Sequence, residues 1–176
     1  DYETRLPRGR SYLRSGSVID LKVSKGRVDA LVQGSELYTV NATIATLDSE
    51  VWGRVKESCS GELGSLVEIL AGKLPERVIK VLTDPSGGIF PRSRDIRFSC
   101  TCLDWAHMCK HVAAALYGVG VRLDSEPKLF FTLRDVAVEE LMTSVVEGTV
   151  SAAARTAREL DLDQIEALFG IEVVRG

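Results

Sequence analysis

Residues 18 to 44 fall into three short runs of strand-like pattern. Val18-Ile19-Asp20-Leu21-Lys22-Val23 alternates apolar and polar side chains in its second half, and Lys25-Gly26 supplies a turn. Val28 to Gln33 and Leu37 to Ile44 continue with β-branched, apolar and aromatic residues. Three antiparallel strands in a meander are expected. Upstream, Leu6 to Leu13 reads as a short helix ending before Gly16, with Tyr12 and Leu13 facing inward and the arginines outward. Downstream, Asp48 is placed as the N-cap of a helix from Ser49 to about Cys59, where Val51, Trp52 and Val55 stand at helical spacing. That spacing makes Trp52 a core residue, and Cys59 is expected half-buried at the helix end.

The middle of the chain repeats the helical period. Glu62 to Leu74 carries Leu63, Leu66, Val67, Leu70 and Leu74, and Pro75 opens a further helix with Val78, Ile79 and Leu82. Asp84-Pro85-Ser86-Gly87-Gly88 is the clearest break. After it, Phe98 to Cys102 has the look of a strand end. Val112-Ala113-Ala114-Ala115-Leu116-Tyr117 reads as a buried helix closed by Gly118 and Gly120. Lys128 to Leu133, Asp135 to Val146 and Ser151 to Leu160 read as helices, and Asp163 caps a last one through Phe169. Ser151 to Leu160 has high helix propensity but few large apolar residues, so its small-residue face suits close packing on another helix, in this chain or in a partner.

The chain is 176 residues long with 45% apolar residues, enough for one large or two small units. It has no run of eighteen apolar residues and no apolar leader core, which places it in the cytoplasm with no membrane association. Asp1 stands where an initiator methionine would, which points to a trimmed N-terminus or to residues upstream. Net charge is −3, against the habit of nucleic-acid binders. The distribution is uneven. Arginines and lysines crowd the first thirty residues, Arg92, Arg94 and Arg97 lead toward residue 100, and the segment after Gly120 is acidic.

The most specific chemistry is Cys100-Thr101-Cys102, six residues, then Cys109-Lys110-His111. On an extended segment, side chains two apart share a face, so both sulfurs of Cys-x-Cys reach one ion. Three thiolates and an imidazole form a complete tetrahedral set for one zinc ion, with no open position for water or substrate. The zinc is therefore structural, joining a hairpin to a helix N-terminus. The competing readings are buried free cysteines and a disulfide. A disulfide is disfavoured by the cytoplasmic setting and the poor bridging geometry of Cys-x-Cys. His107 is an alternative fourth ligand, otherwise a solvent-facing loop residue.

These four positions, with Trp105 and with Lys110 between cysteine and histidine, resemble the SWIM zinc finger of bacterial type. Arg8-Gly9-Arg10-Ser11-Tyr12, Gly16, Val18, Val32-Gln33-Gly34-Ser35 and Tyr38 look like the region upstream of the finger in such proteins, so the likeness covers roughly three quarters of the chain. The resemblance implies an α+β protein in three parts: an N-terminal region over 1–84 with an antiparallel β-meander and helices, a ββα finger over 89–121, and a helical C-terminal extension over 122–176. It also implies a module for protein or DNA interaction, found beside Swi/Snf-type helicase-like ATPases.

Catalytic motifs are missing. The sequence has no glycine-rich phosphate loop with a lysine, no nucleophile elbow and no His-Glu-x-x-His, and both histidines lie in the finger region. The expected function is therefore non-enzymatic: a zinc-binding adaptor for protein, for DNA or for both, partnered by the ATPase or another protein. The alternative is direct nucleic-acid binding through Arg92, Arg94, Arg97 and Lys110.

Overall fold

A computed structural model describes residues 2–60 and 75–158. The expected helices over Glu62 to Leu74 and after Asp163 lie outside the described residues. Helix α1 (Tyr2–Arg14) leads into strands β1 (Val18–Ser24), β2 (Arg27–Gln33) and β3 (Leu37–Ile44). Helices α2 (Ser49–Cys59) and α3 (Glu76–Leu82) follow, then a 3-10 turn (Ser93–Asp95) and strand β4 (Ile96–Cys100). Helices α4 (Lys110–Ser125), α5 (Leu129–Arg134) and α6 (Val138–Arg158) complete the order. The architecture is α+β, with helices packed against one four-stranded antiparallel sheet of order β1-β2-β3-β4.

Local chemistry explains most boundaries. At the end of α1 the Ser17 N–H donates to Tyr12 O and the Gly16 N–H to Leu13 O, with Gly16 at φ 74°. This is a Schellman close, which needs a residue content in the left-handed region. At the start of α2, Asp48 accepts from the backbone N–H groups of Glu50 at 2.8 Å and Val51 at 3.2 Å. Pro75 precedes α3 as its N-cap.

Register places one face of the sheet inward. Leu21, Ala30, Val40 and Cys100 form one cross-strand row, and Val23, Val28, Ala42 and Phe98 form the next. The opposite face is polar, with Arg27 in a bidentate pair with Asp29, which also accepts from Asn41. β4 pairs with β3 from Val40↔Cys100 to Ile44↔Ile96. Between residues 89 and 121 it is the single strand among the described residues. The expected hairpin there is not formed, because the meander already offers β4 a partner.

Besides a small cluster of Val28, Ala42, Ile44, Val119 and Leu133, two larger core clusters form. One lies between the sheet, α1 and the start of α4, and contains Val32, Val40, Val112 and Ala114. The other joins α2, α3, α5 and α6 around Trp52, Leu82, Phe131 and Leu141. Trp52 is buried as expected, and its indole N–H donates to Glu140, which also accepts from Lys56. Lys56 and this indole hold the Glu140 carboxyl below its ordinary range. Cys59 is more deeply placed than expected, fully buried at the end of α2 within this second core.

Two helix boundaries depart from the sequence pattern. α4 runs through Gly118 and Gly120 rather than stopping at them. A Cβ at Gly118 would sit 3.0 Å from Leu21 Cδ2, so this glycine serves the approach of helix to sheet. The two helices expected over Asp135 to Leu160 are one, α6, which starts later because Asp135 takes a left-handed conformation at φ 54°. Gly148 within it costs about 1 kcal/mol relative to alanine, which is too little to break it.

α1 packs tightly on α4 through Gly9. A Cβ on Gly9 would lie 2.5 Å from Ala113 Cβ and 2.9 Å from Ala114 N. Gly9→Ala is expected to lower unfolding free energy by about 1–3 kcal/mol through overpacking. Gly53→Ala, in an exposed stretch of α2 with open space around it, should instead raise it by about 0.5–1 kcal/mol. Urea denaturation of the two variants checks the opposite signs.

Candidate metal centre

β4 ends on Cys100, with its side chain on the inner face beside Val40. The chain then leaves the sheet: the Thr101 N–H donates to Thr39 O, and the Thr101 hydroxyl accepts from the Thr39 N–H, which fixes the exit. Cys102 follows two residues on. After the loop, Cys109 is the N-cap of α4, and its Sγ accepts from the Val112 N–H at 3.5 Å. His111 lies in the first turn of α4 and is almost fully buried.

The ligand atoms of Cys100, Cys102, Cys109 and His111 all lie within 4.8 Å of one another. His111 Nδ1 is 3.8 Å from Cys100 Sγ and 3.9 Å from Cys109 Sγ. A tetrahedral ion with bonds of about 2.3 Å to sulfur and about 2.0 Å to nitrogen would set a sulfur–nitrogen edge of roughly 3.5 Å. The four side chains therefore cluster in a way that fits one metal ion, with Nδ1 as the imidazole donor. Among the described residues they are the one such group.

Electrostatics without an ion are adverse to charge. Burial pushes the Cys100 thiol up to about 12, and burial also raises Cys109. Burial, followed by the Lys110 charge, lowers His111, which keeps its imidazole neutral. A divalent cation reverses the first effect and suits the second, since it binds thiolates and a neutral ring.

Aromatic residues fix the imidazole. Tyr38 stacks on the ring at 4.2 Å between centroids, and Tyr12 meets it edge-on at 5.4 Å. His111 Nε2 is buried with no hydrogen-bond partner. A Cβ on Gly34 would sit 3.1 Å from that atom and 3.0 Å from the Tyr38 ring, so the bare backbone of Gly34 makes room for the ring. Gly34 and Tyr38 were legible in the sequence only as parts of short motifs upstream, and Tyr12 also as an inward-facing helix residue. Their role follows from packing on His111.

The loop between the cysteine pairs is ordered by its own contacts. Asp104 accepts from the Ala106 N–H and pairs with Arg5 of α1 at 3.1 Å, which holds its carboxyl below the ordinary range. Leu103 and Trp105 project into solvent, at 102% and 89% exposure. His107 is exposed as expected, edge-on to Phe98, and is outside the four-residue cluster.

The basic residues proposed for nucleic acid are placed as follows. Arg92 is exposed and donates to Ser86 O. Arg94 is exposed, 3.9 Å from Asp95, and Arg97 is exposed on the polar sheet face in register with Thr43. Lys110 is half-buried, its Nζ 5.5 Å from the centre of the Tyr12 ring. No helix among the described residues is long and apolar enough to cross a membrane.

No family model matches the chain, and no solved structure matches it. It is homologous to the uncharacterized protein Rv2102 of Mycobacterium tuberculosis, with 33% identity over 156 residues. That alignment takes in 87% of this chain and 56% of the relative, so the chain spans just over half of the length of the protein it matches.

Proposed function

We propose that the chain is a zinc-ordered interaction module of SWIM type, an adaptor that works in the cytoplasm beside a Swi/Snf-type helicase-like ATPase or another protein partner and has no catalysis of its own. The observation that carries this reading is the closed donor set. Three cysteines and Nδ1 of one histidine supply four ligands and leave no position for a substrate. Zinc(II) is the ion that such a soft, four-coordinate set selects. A structural ion there ties β4, the loop and the start of α4 together, and the loop presents an indole and a leucine to solvent in a fixed place. A large aromatic held rigidly at a surface suits protein recognition, since little ordering entropy remains to be lost on binding.

The zinc reading is checked by metal content and exchange. One zinc per chain is expected by elemental analysis, and structural zinc contributes on the order of 10 kcal/mol to apparent folding free energy. Cys102→Ser should lose the ion and weaken the hydrogen-exchange protection of Val112 to Leu116. Equal protection in that variant, or a metal-free native protein with the same fold, would sink the idea. Gly34→Ala, which crowds His111 without removing a ligand, should weaken zinc affinity by about tenfold or more in a chelator competition.

The interaction reading is checked by a salt series with single- and double-stranded DNA on zinc-loaded protein. The adaptor form predicts little DNA affinity at any salt concentration and co-purification with the ATPase, lost on Trp105→Ala. Affinity that falls steeply with salt, and that drops in Arg94→Ala with Arg97→Ala, would favour direct nucleic-acid binding instead.

A further inference from the structure

The four donors of the metal cluster are held in unequal ways. Cys100 closes β4, and on either side of it Ser99 is in register with Asn41 while the Thr101 N–H donates to Thr39 O. Cys109 is buried as the N-cap of α4, and His111 is buried one turn into the helix against Tyr12 and Tyr38. Cys102 belongs to neither strand nor helix. It stands half-buried where the chain has left the sheet, next to the fully exposed Leu103.

All three sulfurs lie within 4.8 Å of one another. A disulfide bond of about 2.05 Å therefore needs one partner to move by no more than a few ångströms. Cys100 is fixed by the ladder and Cys109 by the helix, so Cys102 is the sulfur free to move. Joining it to Cys100 would close a ring over a single intervening residue, which disulfide geometry disfavours. Cys109 is its fitting partner, across the six-residue loop. Sulfurs that hold a cation are thiolates, the form that peroxides oxidise, and the half-buried Cys102 is open to such an oxidant while Cys109 is not.

We propose that Cys102 and Cys109 form a redox switch: hydrogen peroxide joins them in a disulfide, the metal site loses two of its donors, and the loop that carries Trp105 is released. The switch rests on the zinc reading given above and adds its regulation. The Cys102 thiolate attacks one peroxide oxygen, the O–O bond breaks, and a sulfenic acid forms as hydroxide leaves. The Cys109 thiolate then attacks the Cys102 sulfur, the S–S bond forms, the S–O bond breaks and a second hydroxide leaves. The two sulfurs together give up two electrons, peroxide takes both, and two protons from solvent turn the hydroxides into water. Cys100 and His111 remain, half of the set that a structural zinc needs. The effect is local, because the ladder of β4 ends before Cys102 and the core around Trp52, Leu82 and Phe131 holds no residue of the loop.

Hydrogen peroxide added to the full chain tests the switch, with zinc content measured first on the same sample. A folded chain that holds no zinc at that step would overturn the zinc reading, and the switch with it. From the zinc-loaded chain, peroxide should release one zinc per chain to a chromogenic chelator, and peptide mapping should find a Cys102–Cys109 disulfide in step with that release. A phosphine reductant with added zinc should reverse both. Hydrogen exchange should rise by about tenfold or more over residues 102 to 109 and stay within about twofold of the parent over α2. Zinc retained at peroxide levels that oxidise free cysteine would overturn the switch and leave the zinc reading standing. So would zinc lost with a different product: a sulfinic acid, a disulfide that includes Cys59 or Cys100, or a bond between two chains.

Discussion

The distance between α1 and α4 controls the metal site, and that distance is set by missing side chains. Gly9 against Ala113 and Ala114 lets the two helices approach until backbone meets backbone. From that position α1 delivers three contacts to the site: Tyr12 against the edge of His111, the same Tyr12 ring beneath the Lys110 ammonium, and Arg5 to Asp104 in the loop. Gly118, one and a half turns along α4, lets the other side of the helix approach β1. Helix α4 is therefore held on two sides at short range before any ion is considered. The imidazole, in the first turn of α4, inherits that precision, while the sulfurs of Cys100 and Cys102 inherit theirs from the hydrogen bonds between β3 and β4.

Features governed by local rules were legible in the sequence. The meander, the Asp48 cap, the Gly16 close and the buried Trp52 each depend on neighbours a few residues away. The four donors were also legible, because metal geometry limits spacing tightly. What escaped depends on distant partners. Gly118 and Gly120 read as a stop signal, yet α4 continues through them, because at Gly118 the small residue answers to Leu21 almost a hundred positions earlier. The same holds for Gly34, whose purpose becomes visible only with His111 lying against it. Nothing local to Arg134 marks it as buried. A hairpin within the finger was expected from the ββα resemblance, but β3 was free on one edge and took β4 instead.

The pairing of β4 with β3 has an energetic consequence. An isolated finger of some thirty residues buries too little surface to fold without its ion. Here Phe98 and Cys100 lie on the inner face of a sheet that has other strands and an apolar core of its own, with Val40 and Val112 close by. An ion at the four donors would have less to organise than in a free-standing finger. Its main task would be the stretch that has no ladder, from Cys102 to Cys109, where Leu103 and Trp105 are exposed and the backbone rests on the Arg5–Asp104 pair, the Ala106 N–H on Asp104 and the packing of Met108. Metal binding would thereby be coupled most strongly to the part of the surface that presents apolar groups to solvent.

Charge balance then bears on what the nearby cations can do. A zinc ion with three thiolates and a neutral imidazole carries a net charge of about −1, and that charge sits partly buried. The N-terminus of α4 faces it, with Cys109 as cap and the Val112 N–H on its sulfur, so the helix supplies part of the compensation. Lys110 would supply more, since it lies between two of the four donors in sequence and its ammonium stands 5.5 Å from the centre of the Tyr12 ring. A lysine committed in this way has less to offer a phosphate than a free one, because leaving the ring and the cluster costs both interactions. Arg94 and Arg97 are under no such obligation to the cluster. They stand on the 3-10 turn and on the polar sheet face, so any phosphate track would run across the sheet rather than over the metal loop.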